Sequence, residues 1–182
     1  MMFKEIQFKG LYQLVLFFCI LFILMSCGEV ADKFRIKSYT PYASFGIDNR
    51  LTAPVELFES MSGLVVDIPV VIDTTNIGAA GSCIEYNDGE KAIVINIDYY
   101  NQIKTNRYKE YYLEEVMLHE LSHCILNVMN HDNTVITFNG ITIARSIMNA
   151  YTLNMIHYIK YREYYLDQLF DADVSIYDYN WE

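Results

Sequence analysis

Apolar residues crowd the first thirty positions, and beyond them the hydrophobic pattern changes period several times along the chain. From Leu11 to Met25 only Tyr12 and Gln13 interrupt the apolar run. Its length, about fifteen residues, falls short of the roughly twenty that span a bilayer and suits the core of a signal peptide. Residues 28–46 mix polar and aromatic side chains without a period and read as a tether. The segment Leu51–Met61 predicts a first helix, with Thr52 as its cap, Pro54 in the opening turn and Gly63 as its stop. Val65–Asp73 is rich in β-branched residues and predicts a strand, followed by a loop over Thr74–Ser82. Cys83–Tyr86 and Lys91–Asp98 flank the turn sequence Asn87-Asp88-Gly89-Glu90 and predict a hairpin. In its second arm Ile93, Ile95 and Ile97 alternate with Val94, Asn96 and Asp98, which predicts one buried face and one more polar face.

A long helix is expected over Lys109–Asn127, with Val116, Leu118, Leu121 and Ile125 among its apolar positions. Asn127 or Asn130 suits the left-handed conformation that ends such a helix. Thr134–Ala144 carries Asn139-Gly140 at its centre, a strong hairpin signal. After Ser146-Ile147-Met148 comes a last helix, Tyr151–Phe170, whose apolar residues include Leu153, Ile156, Ile159, Tyr164 and Leu166. The order is helix, strand, hairpin, helix, loop, helix. That predicts one α+β domain over residues 47–182, a small mixed sheet with an active-site helix and a C-terminal helix.

Composition adds little to this until the N-terminus is considered. A hydrophobic content of 53% with 15% aromatic residues excludes a disordered chain. The apolar run ends in Leu24-Met25-Ser26-Cys27, which resembles a bacterial lipobox. The resemblance implies a signal peptide over residues 1–26, cleavage before Cys27 and acylation of Cys27. Residues 27–46 then become a lipid-anchored tether, and the domain is exported to the bacterial cell envelope, on its periplasmic or surface side. Removing residues 1–26 takes Lys4, Lys9 and Glu5 from 13 basic and 23 acidic residues, leaving 11 and 22 and a formal charge of −11. So acidic a body excludes nucleic acid as a partner, because a phosphate backbone demands Lys and Arg. It leaves the membrane to be reached only through the lipid. A monomer is expected. Two cysteines remain, Cys83 and Cys124. They form either a disulfide, which an exported protein would retain, or a pair of buried thiols.

The chemistry is concentrated in His119-Glu120-Leu121-Ser122-His123. Residues four apart on a helix project from one face about a turn apart, so His119 and His123 can approach one ion. Glu120 points off that axis, where it can miss the metal and still reach a water. A zinc hydrolase uses three protein ligands and leaves the fourth position open. Of the remaining histidines, His131 lies past the helix end, eight residues after His123, whereas His157 reads as a half-buried packing residue or a surface group.

A His-Glu-x-x-His helix, a further His after a short turn and then Ser146-Ile147-Met148 resemble the metzincins, nearest to small matrixin-like peptidases of bacterial lipoproteins. The resemblance covers about thirty residues directly, Glu115 to Met148. It implies zinc held by His119, His123 and His131, Glu120 as general base, and Met148 in the turn beneath the metal. It also implies that the hairpin arm Ala92–Asp98 forms the edge of the cleft. The chain departs from the family in spacing. Leu126 and Met129 stand where the pattern has glycine and the third ligand, and His131 arrives two residues later.

A competing arrangement resembles the gluzincins, in which Glu163 would be the third ligand and Asp167, four residues on, would brace a histidine. The expected function is a zinc-dependent endopeptidase acting on protein or peptide substrates. The alternatives are a non-catalytic zinc-binding envelope lipoprotein and an envelope lipoprotein in which the motif has no role.

Overall fold

The computed structural model describes residues 45–74, 78–171 and 173–179. The expected signal peptide, Cys27 and all but the last two residues of the expected tether lie outside the described residues. Among the described residues no helix is long and apolar enough to cross a membrane.

Helix α1 spans Thr52–Ser62 and buries Pro54, Val55 and Phe58, positions that fall on one face at helical spacing. Gly63 ends it at φ 70°, donating its N–H to Glu59 O, as the left-handed cap requires. Thr52 is the first helical residue rather than the cap, and the flanking Leu51 supplies no side-chain cap. Strand β1 is only Val70–Asp73, half of what its β-branched composition predicts. Upstream, Val65 is exposed, the Val66 N–H goes to the Glu59 carboxylate at 2.7 Å, and Pro69 has no N–H to pair.

Strands β2 (Gly81–Glu85) and β3 (Lys91–Asn96) form the expected hairpin, with Gly89 at φ 85° in its turn. The sheet is mixed, in the order β1-β3-β2. β1 runs parallel to β3, from Val70 opposite Ile93 to Asp73 opposite Asn96. β2 runs antiparallel to β3, from Gly81 opposite Ile95 to Glu85 opposite Lys91. Two expectations are corrected here. β3 is central and paired on both sides, so it offers no free edge, and β1 and β2 are the outer strands. Nor does β3 have a polar face. Ile93 and Ile95 enter the main core, while Ala92 and Val94 pack with Val71, Ile84 and Tyr86 on the other side.

The strand also stops earlier than its alternation suggests. Asn96 accepts the Asp98 N–H at 2.9 Å and so caps a helix that the pattern does not reveal, α2, Ile97–Ile103. Helix α3, Lys109–Cys124, buries Leu113, Val116, Met117, Leu118 and Leu121 together with Glu115, Glu120 and Ser122. It is three residues shorter than expected, and Asn127, at φ 55°, takes the left-handed conformation just beyond it.

Strands β4 (Val135–Phe138) and β5 (Ile141–Ala144) form a second, two-stranded sheet. Asn139 at φ 50° and Gly140 at φ 75° give its turn the doubly left-handed backbone that this dipeptide favours. The C-terminal helix is two helices, α4 (Met155–Lys160) and α5 (Arg162–Phe170). Asn154 sets the start of α4 by accepting the N–H groups of Ile156 and His157, which leaves Tyr151–Leu153 outside it. The break at Tyr161 contains neither proline nor glycine, so the apolar period gives no sign of it. Tyr158, Tyr161, Tyr164 and Tyr165 are all buried in the core. The hydroxyls of Tyr164 and Tyr165 donate to Arg145 O and Ala144 O, and that of Tyr158 to Glu114 on α3. Arg162 also donates to Glu114 through two nitrogens, so α3 is tied to both C-terminal helices. The architecture is α+β, with two small sheets around one long buried helix.

Candidate metal centre

Helix α3 presents His119 and His123 one turn apart, and the loop beyond it returns His131 to them. The three Nε2 atoms form a nearly equilateral triangle, with edges of 3.1 Å (His119–His123), 3.2 Å (His119–His131) and 3.3 Å (His123–His131). Among the described residues this is the one group of three or more candidate ligands close enough to share an ion.

The opposite side of two of the rings fixes their chemistry. His119 Nδ1 donates to Ile147 O at 3.0 Å, and His123 Nδ1 donates to Val128 O. A carbonyl oxygen only accepts, so in the neutral rings the proton is on Nδ1 and Nε2 carries a bare lone pair. Burial holds the His119 ring below its ordinary range, to about 4, and its histidine neighbours add to the shift. His131 is lowered for the same two reasons. Neutral imidazoles are the ligand form.

A tetrahedral ion with Zn–N bonds of 2.0–2.1 Å separates two ligand nitrogens by about 3.3–3.4 Å. The observed edges fit that ion closely. Electron pairs converging at such distances repel one another unless a cation lies among them. The donor set and its spacing therefore fit a metal ion.

The longer turn that brings His131 back is held by the segment around Met148. Asp132 N donates to Met148 O at 2.8 Å, Ala150 N to Asn133 Oδ1 at 2.9 Å, and Asn149 Nδ2 to Asp132 O at 3.5 Å. Ser146 Oγ accepts the Met148 N–H, and Ser146, Ile147 and Met148 are all buried. One short segment thus orients His119 through Ile147 and anchors the His131 loop through Met148, Asn149 and Ala150.

Glu120 is outside the ligand group and buried. Its Oε2 accepts the Cys83 N–H of β2 at 2.8 Å. Burial pushes its carboxyl up to about 7, against the effect of that hydrogen bond. Cys83 and Cys124 are joined by a disulfide that ties the edge strand to the end of α3. Glu163 is not brought to the histidines. It is exposed in the first turn of α5, and Asp167 accepts the Tyr179 hydroxyl at 2.6 Å rather than bracing a ring. His157 is half-buried with its ring centroid 6.5 Å from that of Tyr161, and it is not one of the clustered histidines.

Several contributors escape sequence reasoning. The carbonyls of Ile147 and Val128 carry no side-chain signature at all. Gly81 lies in a run of small residues, and a Cβ there would meet Glu120 Cγ at 2.9 Å. Glu115, one turn before His119, was more findable, because it is an acid set among apolar helix positions. It is buried, its Oε1 accepts Leu153 N at 3.2 Å, and its Oε2 has no partner among the described residues. Burial pushes it up to about 8, with the nearby Glu120 adding to the shift. Comparison of the chain with protein-family models, with curated proteins and with solved structures gives no match.

Proposed function

We propose that the chain is a zinc-dependent endopeptidase, exported and anchored to the bacterial envelope by lipid on Cys27. The observation that carries this reading is the convergence of three Nε2 atoms on α3 and its following loop, two of them left as bare lone pairs by Nδ1 donation to carbonyls, with a buried carboxylate one residue from the first of them. His119, His123 and His131 are the ligands, and a three-histidine site that leaves one position open suits a hydrolase. Bound zinc would supply a Lewis acid that polarises a peptide carbonyl and makes a water more acidic.

Glu120 is the general base. Its carboxylate takes a proton from the attacking water and returns it to the amine that leaves. Burial disfavours the charged form of this carboxyl and so makes it a better proton acceptor than a solvated glutamate. The outer edge of β2 pairs with no other strand among the described residues, although its Cys83 N–H is taken by Glu120, and the remaining outward backbone groups suit an extended polypeptide, so the substrate class is unfolded or extended protein.

The metzincin resemblance supports the same assignment, with Met148 in the segment that orients His119. The longer turn to His131 is then a variation that its hydrogen bonds accommodate. The anchor rests on the Leu24-Met25-Ser26-Cys27 pattern and is tested by the acyl mass of the mature N-terminus. The peptidase reading is tested by cleavage of an unfolded polypeptide that a chelator removes and added zinc restores. Purified protein that binds no zinc and cleaves nothing would overturn it.

A further inference from the structure

Cys83 is held by α3 in two ways. Its amide donates to Glu120, and its sulfur is bonded to that of Cys124, one turn beyond Glu120 on the same side of the helix. The amide is available because of the strand register. Ile93, the partner of Cys83, sends its own N–H to Pro69 O on the β1 side. The pair therefore exchanges no hydrogen bonds, and the Cys83 N–H faces the open edge of the sheet. Two residues earlier the backbone of Gly81 lies against the same carboxylate, where a Cβ would sit 2.9 Å from Glu120 Cγ and 3.2 Å from Oε1.

The contacts that orient the metal ligands come from elsewhere. Ile147 O and Val128 O fix the rings of His119 and His123, and residues 148–150 fix the His131 loop. None of these belongs to β2. Among the described hydrogen bonds, the strand reaches the base and none from it reaches the ligands.

We infer that the Cys83–Cys124 disulfide and Gly81 are positioning elements for Glu120, setting turnover without contributing to metal affinity, an inference that rests on the peptidase reading above. An edge strand paired on one side only gains freedom when its covalent tie to α3 is cut. The amide and the carboxylate it holds then move together. A displacement of about 1 Å of a catalytic group costs on the order of 10²-fold in rate. Reduction by a water-soluble phosphine brings this about. The phosphorus gives up two electrons and is oxidised to the phosphine oxide, taking its oxygen from water. The S–S bond breaks, and the two protons of that water complete the Cys83 and Cys124 thiols.

The test compares the full-length chain in four forms: oxidised, phosphine-reduced, with Cys83→Ser and Cys124→Ser together, and Gly81→Ala with the disulfide intact. Zinc affinity, kcat and KM on an unfolded labelled polypeptide, and hydrogen exchange of the amide at position 83 are measured on each. The expected result is zinc affinity within about threefold throughout, kcat lower by on the order of 10²-fold in the three altered forms, and KM little changed. Exchange at position 83 should speed up at least tenfold in them and in Glu120→Ala, while the β1–β3 amides keep their protection. If the double variant does not fold, the reduced chain and Gly81→Ala decide. Unchanged kcat and unchanged exchange after reduction would overturn the inference, as would a parallel loss of zinc. The exchange readout needs neither metal nor turnover. A wild-type chain that fails to bind zinc or to cleave therefore counts against the peptidase reading, while position 83 still reports whether the disulfide holds Cys83 on Glu120.

Discussion

His119 donates its Nδ1 proton to the carbonyl of Ile147, 28 residues later and 3.0 Å away, immediately before Met148. A candidate metal ligand is thereby oriented by the backbone of a segment whose side chains are buried. Groups that orient a ligand in this way are typically worth 10–100-fold in metal affinity. The Met148→Ala substitution should destabilise the fold by about 2–5 kcal/mol through the cavity it leaves. It should also weaken zinc binding about 10–100-fold by loosening the Ile147 carbonyl. Met148→Leu, which keeps the volume, should cost less than about 1.5 kcal/mol and leave zinc affinity near wild type. Denaturant unfolding of the metal-free protein and zinc titration measure the two effects. Equal zinc affinity in both variants would separate Met148 from the metal centre.

The identity of the third ligand makes a sharp comparison. His131→Ala removes one corner of the Nε2 triangle and should abolish tight zinc binding, as should His119→Ala and His123→Ala. Glu163→Ala changes an exposed residue of α5 and should leave zinc affinity unchanged. Isothermal titration of the variants is sufficient. Zinc retained in His131→Ala and lost in Glu163→Ala would transfer the role to Glu163.

Glu115 predicts a pH dependence of stability whose sign is fixed by its environment. Burial raises its folded-state pKa from 4.5 to about 8. An unfolded chain releases this proton near 4.5, while the folded chain keeps it to about 8. Its favourable contribution is therefore complete below pH 4.5 and declines as pH rises from there to about 8. Glu115→Gln cannot ionise. The unfolding midpoint of the metal-free wild type should fall more steeply between pH 5 and pH 8 than that of Glu115→Gln. Parallel curves would mean that Glu115 is not held neutral by the fold.

The legible parts of this chain were those with local signals. Gly63 and Asn139-Gly140 marked backbone turns correctly, because positive φ leaves few residues to choose from, and of the alternatives Asn127 and Asn130 it is Asn127 that takes positive φ. The spacing of His119 and His123 placed both rings on one face, and the metzincin resemblance pointed to His131, with Glu163 left as the alternative that only the fold separates. What escaped depended mostly on partners distant in sequence, and in one place on a local cap that overrode the alternation. The Val65–Asp73 segment looked like a strand throughout, yet only Val70–Asp73 finds a neighbour in β3. Ile97 continued the alternation of β3, but Asn96 caps a helix there. The break at Tyr161 and the central position of β3 are tertiary outcomes that no periodicity carries. At the site, the side-chain types were legible, whereas the orienting carbonyls of Ile147 and Val128 were not.

The central claim is that three histidines hold zinc for a reaction in which Glu120 moves the proton. It is tested most directly by measuring zinc content and peptide cleavage on one preparation of Glu120→Gln. Because Glu120 lies outside the ligand group, the variant should keep a full complement of zinc. Losing a general base should lower kcat by about 10²–10⁴-fold, with KM little changed. Full zinc with unchanged cleavage would contradict the mechanism, and loss of zinc in this variant would contradict the assignment of the ligands.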